Sequence, residues 1–211
     1  MMHIELLVEE PSAEEALKNI IPKIIGNQIT FKIHHFPDKP SLLKNLPNRL
    51  KGYKTWIPED YYIVVLVDLD KNDCHELKTK LEKFASEAGF TTKSNRKENE
   101  NFQVLNRIAI EELEAWFFGD ISALINAYPR ISPNILKKAK YRNPDAITGG
   151  TWETMERLLK GKGYHKGGLQ KITLAKDVSI HMNPDINHSK SFQVFRDGIL
   201  EMIQNQPIVF I

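Results

Sequence analysis

A chain of 211 residues is long enough for one α/β domain with an extension, or for two small domains. With 41% apolar and 27% charged residues it reads as an ordinary globular protein, and no apolar run nears the ~20 residues of a membrane helix. Net charge is only +2, and one cysteine, Cys74, excludes an internal disulfide and suits a reducing cytosol, so a cytoplasmic location without a secretory signal is expected.

HIELLV at 3–8 reads as a short apolar strand. Ser12, with Glu15 three residues on, has the pattern of a capping box. Ala16, Leu17, Ile20, Ile21 and Ile24 then give one apolar face to a helix over 13–25, with Pro22 late in it. Residues 29–35 alternate as a second strand. Pro37, Pro40, Pro47 and Pro58 punctuate the next stretch and leave room for one short helix over 41–50.

YYIVVLVDLD at 61–70 is the clearest strand. Residues 63–67 are apolar on both faces, which belongs in the middle of a parallel sheet covered by helices. Asp68 and Asp70 follow. Residues i and i+2 of a strand point to one side, so the two carboxylates can converge. They resist joint ionisation unless a positive group intervenes, and a divalent cation with oxygen ligands supplies it.

Asp73 is placed to cap a helix over 74–88 that Gly89 closes. The polar run 91–101 reads as a loop, and VLNRIAI at 104–110 as a fourth strand. EELEAWFF at 111–118 starts a helix at once, with Leu113, Trp116 and Phe117 on its core face. Asp120 caps a further helix over 121–128. This alternation predicts a parallel sheet flanked by helices, whose ligands sit beyond the carboxyl ends of the strands.

From Pro129 onward, prolines and glycines separate short helices, expected over 133–140, 151–159, 169–182 and 191–203. The tail 207–211 reads as a strand or an apolar plug. Two units are therefore expected, an α/β domain over 1–128 and a mainly helical extension over 129–211, which can also pack as one. Residues 130–180 hold 11 Lys/Arg against 4 Asp/Glu, a local +7, whereas 1–129 hold 16 against 20, a local −4. A basic segment of this kind suits nucleic acid; lysines merely coating helices are the plainer alternative.

Glu9 follows the first strand as Asp68 and Asp70 follow the third, so three carboxylates can meet at one rim and hold Mg²⁺ or Mn²⁺. Glu9 can also serve as a general base, because crowding by the aspartates raises its pKa. Glu114 shares a helix face with Glu111 near the end of the fourth strand and is a further candidate. Lys166, between glycines and beside Tyr164, is a candidate phosphate contact. The seven histidines show no metal-binding spacing and read as surface or strand residues. Trp56, Trp116 and Trp152 are expected in the core, and Cys74 as an inert helix residue.

An acid after the first strand with D-x-D after a later one is the arrangement of TOPRIM domains. VEEPSAEEAL at 8–17 resembles their V-E-G-x-x-D/E segment, with Glu10 where glycine is common, and VLVDLD at 65–70 resembles their D-x-D strand. IAIEELEAWFFGD at 108–120, GKGYHKGG at 161–168 and SFQVF at 191–195 resemble a largely uncharacterised bacterial family of the TOPRIM-like group, domain-of-unknown-function family 4276, over most of the chain. The resemblance implies a TOPRIM/Rossmann-like sheet and a Mg²⁺-dependent, nuclease-like site. It also implies a setting in phage defence or mobile elements with an ABC/AAA-type ATPase as partner. The expected activity is phosphoryl transfer or cleavage of nucleic acid. The alternative is a non-catalytic module that docks on an ATPase or on nucleic acid. A dehalogenase-type phosphatase ranks third, because Lys71 and Asn72 follow the aspartates and two strands precede them.

Overall fold

The structure, a computed structural model, describes residues 1–98 and 100–204. Four strands, β1 (His3–Glu9), β2 (Thr30–Phe36), β3 (Tyr61–Asp68) and β4 (Val104–Ala109), form one parallel sheet in the order β2-β1-β3-β4. The two most apolar strands are therefore central. The register pairs Val8 with Leu66 and Asp68 with Ala109, so Glu9 and Asp68 end neighbouring strands at one rim.

Helix α1 (Glu10–Ile25) follows β1 without a loop. It starts earlier than the Ser12 pattern predicts: Ser12 lies inside the first turn and its hydroxyl donates to the Glu10 carboxylate at 3.2 Å, so no capping box forms. Glu9 occupies the cap position without capping by its side chain. Helix α2 (Lys39–Trp56) is longer than expected. Asp38 accepts from the Ser41 amide at 2.7 Å and Pro40 sits in the first turn, where a missing N–H costs nothing. Pro47 falls inside the helix, yet Leu42, Leu46, Leu50 and Tyr53 all bury on one stripe, and that packing outweighs the ~3 kcal/mol cost of the proline.

Helix α3 (Cys74–Glu87) is capped by Asp73 as expected, with the Glu76 amide at 2.9 Å. The helix expected from residue 111 begins later, as α4 (Glu114–Gly119), because Glu111 has φ +63° and cannot be helical. Asp120 caps α5 (Ile121–Ala127) through the Ala123 amide at 3.0 Å. The helix expected over 133–140 is instead a set of 3-10 turns, at Pro133–Lys137, Ala139–Tyr141 and Pro144–Ala146. Helices α6 (Thr151–Gly161), α7 (Lys171–Ser179) and α8 (Lys190–Gln204) complete the described chain, and the tail 207–211 lies outside it.

Helices α2 and α3 cover one face of the sheet, packing on Leu7, Ile63, Val65, Val67 and Val104. The other face, with Ile4, Leu6, Val8, Val64 and Leu66, is covered by α1 and by the helices after β4 in one continuous core that reaches Met202. Residues on both sides of position 129 share that core. Lys23 of α1 closes the end of α7, donating to the carbonyls of Ser179, Ile180 and Met182 at 3.0, 2.7 and 2.9 Å. Among the described residues no helix is long and apolar enough to cross a membrane.

Candidate functional site

The carboxyl rim of the sheet carries backbone that ordinary residues rarely adopt. Glu10, Asp70 and Glu111 have φ of +65°, +48° and +63°. Each follows or lies near the end of β1, β3 or β4. Glycine takes this conformation freely, and other residues hold it at a cost of about 1–3 kcal/mol that tends to accompany functional sites. Glu10 thus keeps the turn shape that glycine would give. Asp70 and Glu111 are clasped together, since the Asp70 amide donates to the Glu111 carbonyl at 2.8 Å.

Glu9 is 8% exposed, and its Oε2 accepts from the Asp68 amide at 3.3 Å. Burial pushes its carboxyl up to about 7, opposed by Lys39 and the Asp68 amide and helped by Asp70 and Glu10. Asp68 is raised well above the usual aspartate range, first by burial and then by Glu114, Glu9, Glu10 and Asp70. Glu114 is 2% exposed, and burial pushes it up to about 7 against the pull of Lys171. Four acids therefore share one electrostatic environment: Glu9 and Glu10 where β1 meets α1, Asp68 at the end of β3 and Glu114 at the start of α4.

Asp70 is the member of the predicted trio that the structure treats differently. It is 46% exposed, and its Oδ2 lies 2.5 Å from Nζ of the buried Lys39. Lys39 also donates to the Leu69 carbonyl and to Asn72 Oδ1 at 3.3 and 3.0 Å. The cation beside Asp70 is therefore supplied by the chain, and Glu114 stands nearer in influence to Asp68. Among the described residues, no group of three His, Cys, Asp or Glu is drawn together closely enough to hold a metal ion as built. The donor set itself is all carboxylate oxygen, the chemistry that Mg²⁺ and Mn²⁺ require.

Lys166 is exposed and has no hydrogen bond or ion pair among the described residues. The lysine that faces the acids is Lys171, at the start of α7, 3.6 Å from Glu10 Oε2. Burial works against its charge, but Glu114, Glu10, Glu112 and Asp68 outweigh that and hold its pKa above the usual lysine range. Neither Lys39 nor Lys171 carries a local motif; only the fold brings them to the rim.

Next to the acids lies a cavity of about 700 Å³, with Asp70, Lys71, Glu111, Glu112, Trp152 and Glu153 in its walls. Trp152 is thus a cavity wall, and Trp56 is 58% exposed, so neither is the core residue expected. Glu112 caps α6 from outside the helix, accepting from Thr151 Oγ1 and the Trp152 amide at 2.9 and 3.0 Å. Burial, then Glu112, Glu153 and Asp70, raise the Glu111 carboxyl.

Trp116 is fully buried as expected, and donates from Nε1 to Ser191 Oγ at 3.0 Å while packing on Phe192 and Phe195. The ELEAW and SFQVF segments are therefore two sides of one contact. That contact anchors α4, and with it Glu114, beneath the rim. No curated protein and no solved structure matches the chain. The model of the family described as Domain of unknown function (DUF4276) matches residues 8–200, nearly the whole chain and all the segments just described, and the chain belongs to that family.

Proposed function

We propose that the acidic rim is a Mg²⁺- or Mn²⁺-dependent phosphoryl-transfer site of TOPRIM type, most simply a nuclease. The observation that carries this reading is the group of Glu9, Asp68 and Glu114, with Glu9 and Glu114 buried, Asp68 half-buried and all three carboxyls raised out of the normal acid range. Such crowding is unfavourable to the folded chain unless a cation joins it. Glu9 and Asp68, with Glu114, are the residues that would hold the ion; Asp70 joins them when Lys39 releases it. When bound, a divalent ion neutralises phosphate charge and lowers the pKa of water. Whichever of Glu9 and Glu114 is left off the ion is suited to take the proton of an attacking water. Lys171, kept charged by its acidic neighbours, is suited to hold a phosphate oxygen.

The substrate class follows from the surface. Lys137, Lys138, Lys140, Lys162 and Lys166 are exposed and form no ion pair among the described residues, which favours a polyanion such as DNA or RNA. Work in phage defence beside an ATPase is proposed only on the family resemblance. The non-catalytic alternative has one observation in its favour, the Lys39–Asp70 pair, which already satisfies part of the acidic set. Nicking of plasmid DNA and cleavage of single-stranded RNA, each with Mn²⁺ or with EDTA, separate the two. Cation-dependent cutting that Asp68→Asn abolishes is expected; cutting that persists in Asp68→Asn, or none with either cation, favours the docking module.

A further inference from the structure

A second cavity, of about 390 Å³, opens along the outer edge of β4 between α3 and α8, and shares no wall residue with the acidic one. Its size is in the range of small-molecule sites. Its apolar wall is made by Ile108, Ile110 and Val194. Its polar wall is cationic. Arg107 lies across it, donating from Nε to the Val194 carbonyl and from Nη1 to the Asn106 carbonyl, both at 3.0 Å, with no carboxylate within ion-pair distance among the described residues. A Cβ at Gly198 would sit 2.6 Å from its Nη2, so the bare turn of α8 is what lets the guanidinium lie there.

Lys190 and His75 add exposed basic groups with no partner among the described residues. Both stand in first turns, His75 in α3 and Lys190 in α8, beside helix ends already capped by Asp73 and Asp145. The one acid in the wall, Asp145, is already committed to the Ser191 amide and to the hydroxyls of Ser189 and Ser191 at 2.8–3.0 Å. Lys78 is likewise matched by Glu82 at 2.6 Å. The inner wall includes Asn106, 1% exposed, whose Nδ2 donates to Glu82 and whose buried Oδ1 has no hydrogen-bond partner among the described residues. That oxygen is closed off from the cavity, so the group that calls for a ligand is the half-buried guanidinium, held by backbone carbonyls and costly to leave without an anion.

We propose that this cavity binds a nucleoside monophosphate: the phosphate on Arg107, Lys190 and His75, and the flat base against Ile108, Ile110 and Val194. The site uses none of the acidic residues of the rim and does not depend on their role.

The test is calorimetric titration of the full chain in EDTA with AMP, GMP, CMP and UMP, and with adenosine, guanosine and inorganic phosphate as partial ligands. At least one nucleotide binds one to one with Kd below about 1 mM, and its nucleoside and inorganic phosphate bind about tenfold more weakly or worse. Val194→Trp fills the cavity from an exposed position, and Lys190→Glu reverses one charge at a helix start that tolerates acids. Each lowers nucleotide affinity by about tenfold or more with the melting temperature held within a few degrees. Absence of binding by all four nucleotides overturns the proposal. So does equal binding by phosphate or nucleoside alone, or full affinity in either variant.

Discussion

Glu9 Oε2 accepts a hydrogen bond from the Asp68 amide at 3.3 Å, and this contact joins the ends of the two central strands. It fixes the Glu9 carboxyl against a backbone donor rather than against a mobile side chain. The carboxyl of Asp68 is influenced by both Glu114 and Glu9, with burial as the main force acting on all three. The fold thus fixes Glu9 at the rim, while the full acidic set has still to draw together to ligate an ion.

A divalent ion that binds this group stabilises the folded chain by mass action. At a concentration 100 times its Kd the gain is about 2.7 kcal/mol. Millimolar Mg²⁺ or Mn²⁺ added to EDTA-treated protein is expected to raise the melting temperature by several degrees in differential scanning calorimetry. Asp68→Asn removes the rise. An equal rise in the variant places the ion elsewhere.

The same crowding has a pH signature. Glu9 and Glu114 titrate near 7 in the folded chain and near the usual 4.5 when unfolded. Below about 4.5 both states hold the protons and the full stability is present. Between about 4.5 and 7 the folded chain keeps protons that the unfolded chain has lost, so stability falls as pH rises. With solvent relaxation discounted, the two together contribute roughly 1–3 kcal/mol of that fall. Urea midpoints in EDTA from pH 5 to pH 8 should drop more for the wild type than for the Glu9→Gln/Glu114→Gln variant. Parallel curves would mean that these carboxyls titrate normally.

The sheet was legible because its signals are local: an unbroken apolar run at 63–67, an alternating run before it, and single acids placed as helix caps at Asp73 and Asp120. Helix α2 was under-read because Pro47 argues against a helix in sequence, whereas the buried Leu42–Leu46–Leu50–Tyr53 stripe decides in space. Glu9 and Asp68 could be matched across strands because both end apolar runs. Lys39, Lys171 and Glu112 could not, since each reaches the rim from a helix or turn whose position depends on packing. The choice of Lys166 rested on its glycine-rich setting, a feature of loop flexibility and not of location.

Packing beneath the rim gives a prediction independent of chemistry. A Cβ on Gly119, at the end of α4, would lie 2.1 Å from Asn187 Oδ1 and 2.8 Å from the Ser189 backbone nitrogen. Asn187 cannot yield easily, because its Nδ2 donates to the Trp116 carbonyl at 2.8 Å and its Oδ1 accepts from the Ser189 amide at 2.9 Å. Gly119→Ala is expected to cost about 1–3 kcal/mol, the usual range for overpacking. Urea denaturation measures it. A cost under about 0.5 kcal/mol, typical of surface changes, would show that the α4–α8 junction is loosely packed.

Exposed lysines near the 3-10 turns at Pro133–Lys137 and Ala139–Tyr141 give the last prediction. Lys137, Lys138 and Lys140 are solvent-facing and unpaired with acids among the described residues, so reversing them leaves the core untouched. Each phosphate contact releases counterions, and the slope of log K against log salt is about −0.9 per phosphate on duplex DNA. Fluorescence anisotropy with a labelled duplex should show binding that weakens steeply from low to physiological salt. The Lys137→Glu/Lys138→Glu/Lys140→Glu variant should bind more weakly, with a slope shallower by roughly 2–3 units if all three lysines meet phosphates. A slope unchanged by the triple substitution moves the contact surface off these turns. Affinity indifferent to salt removes the electrostatic case for a nucleic-acid substrate altogether.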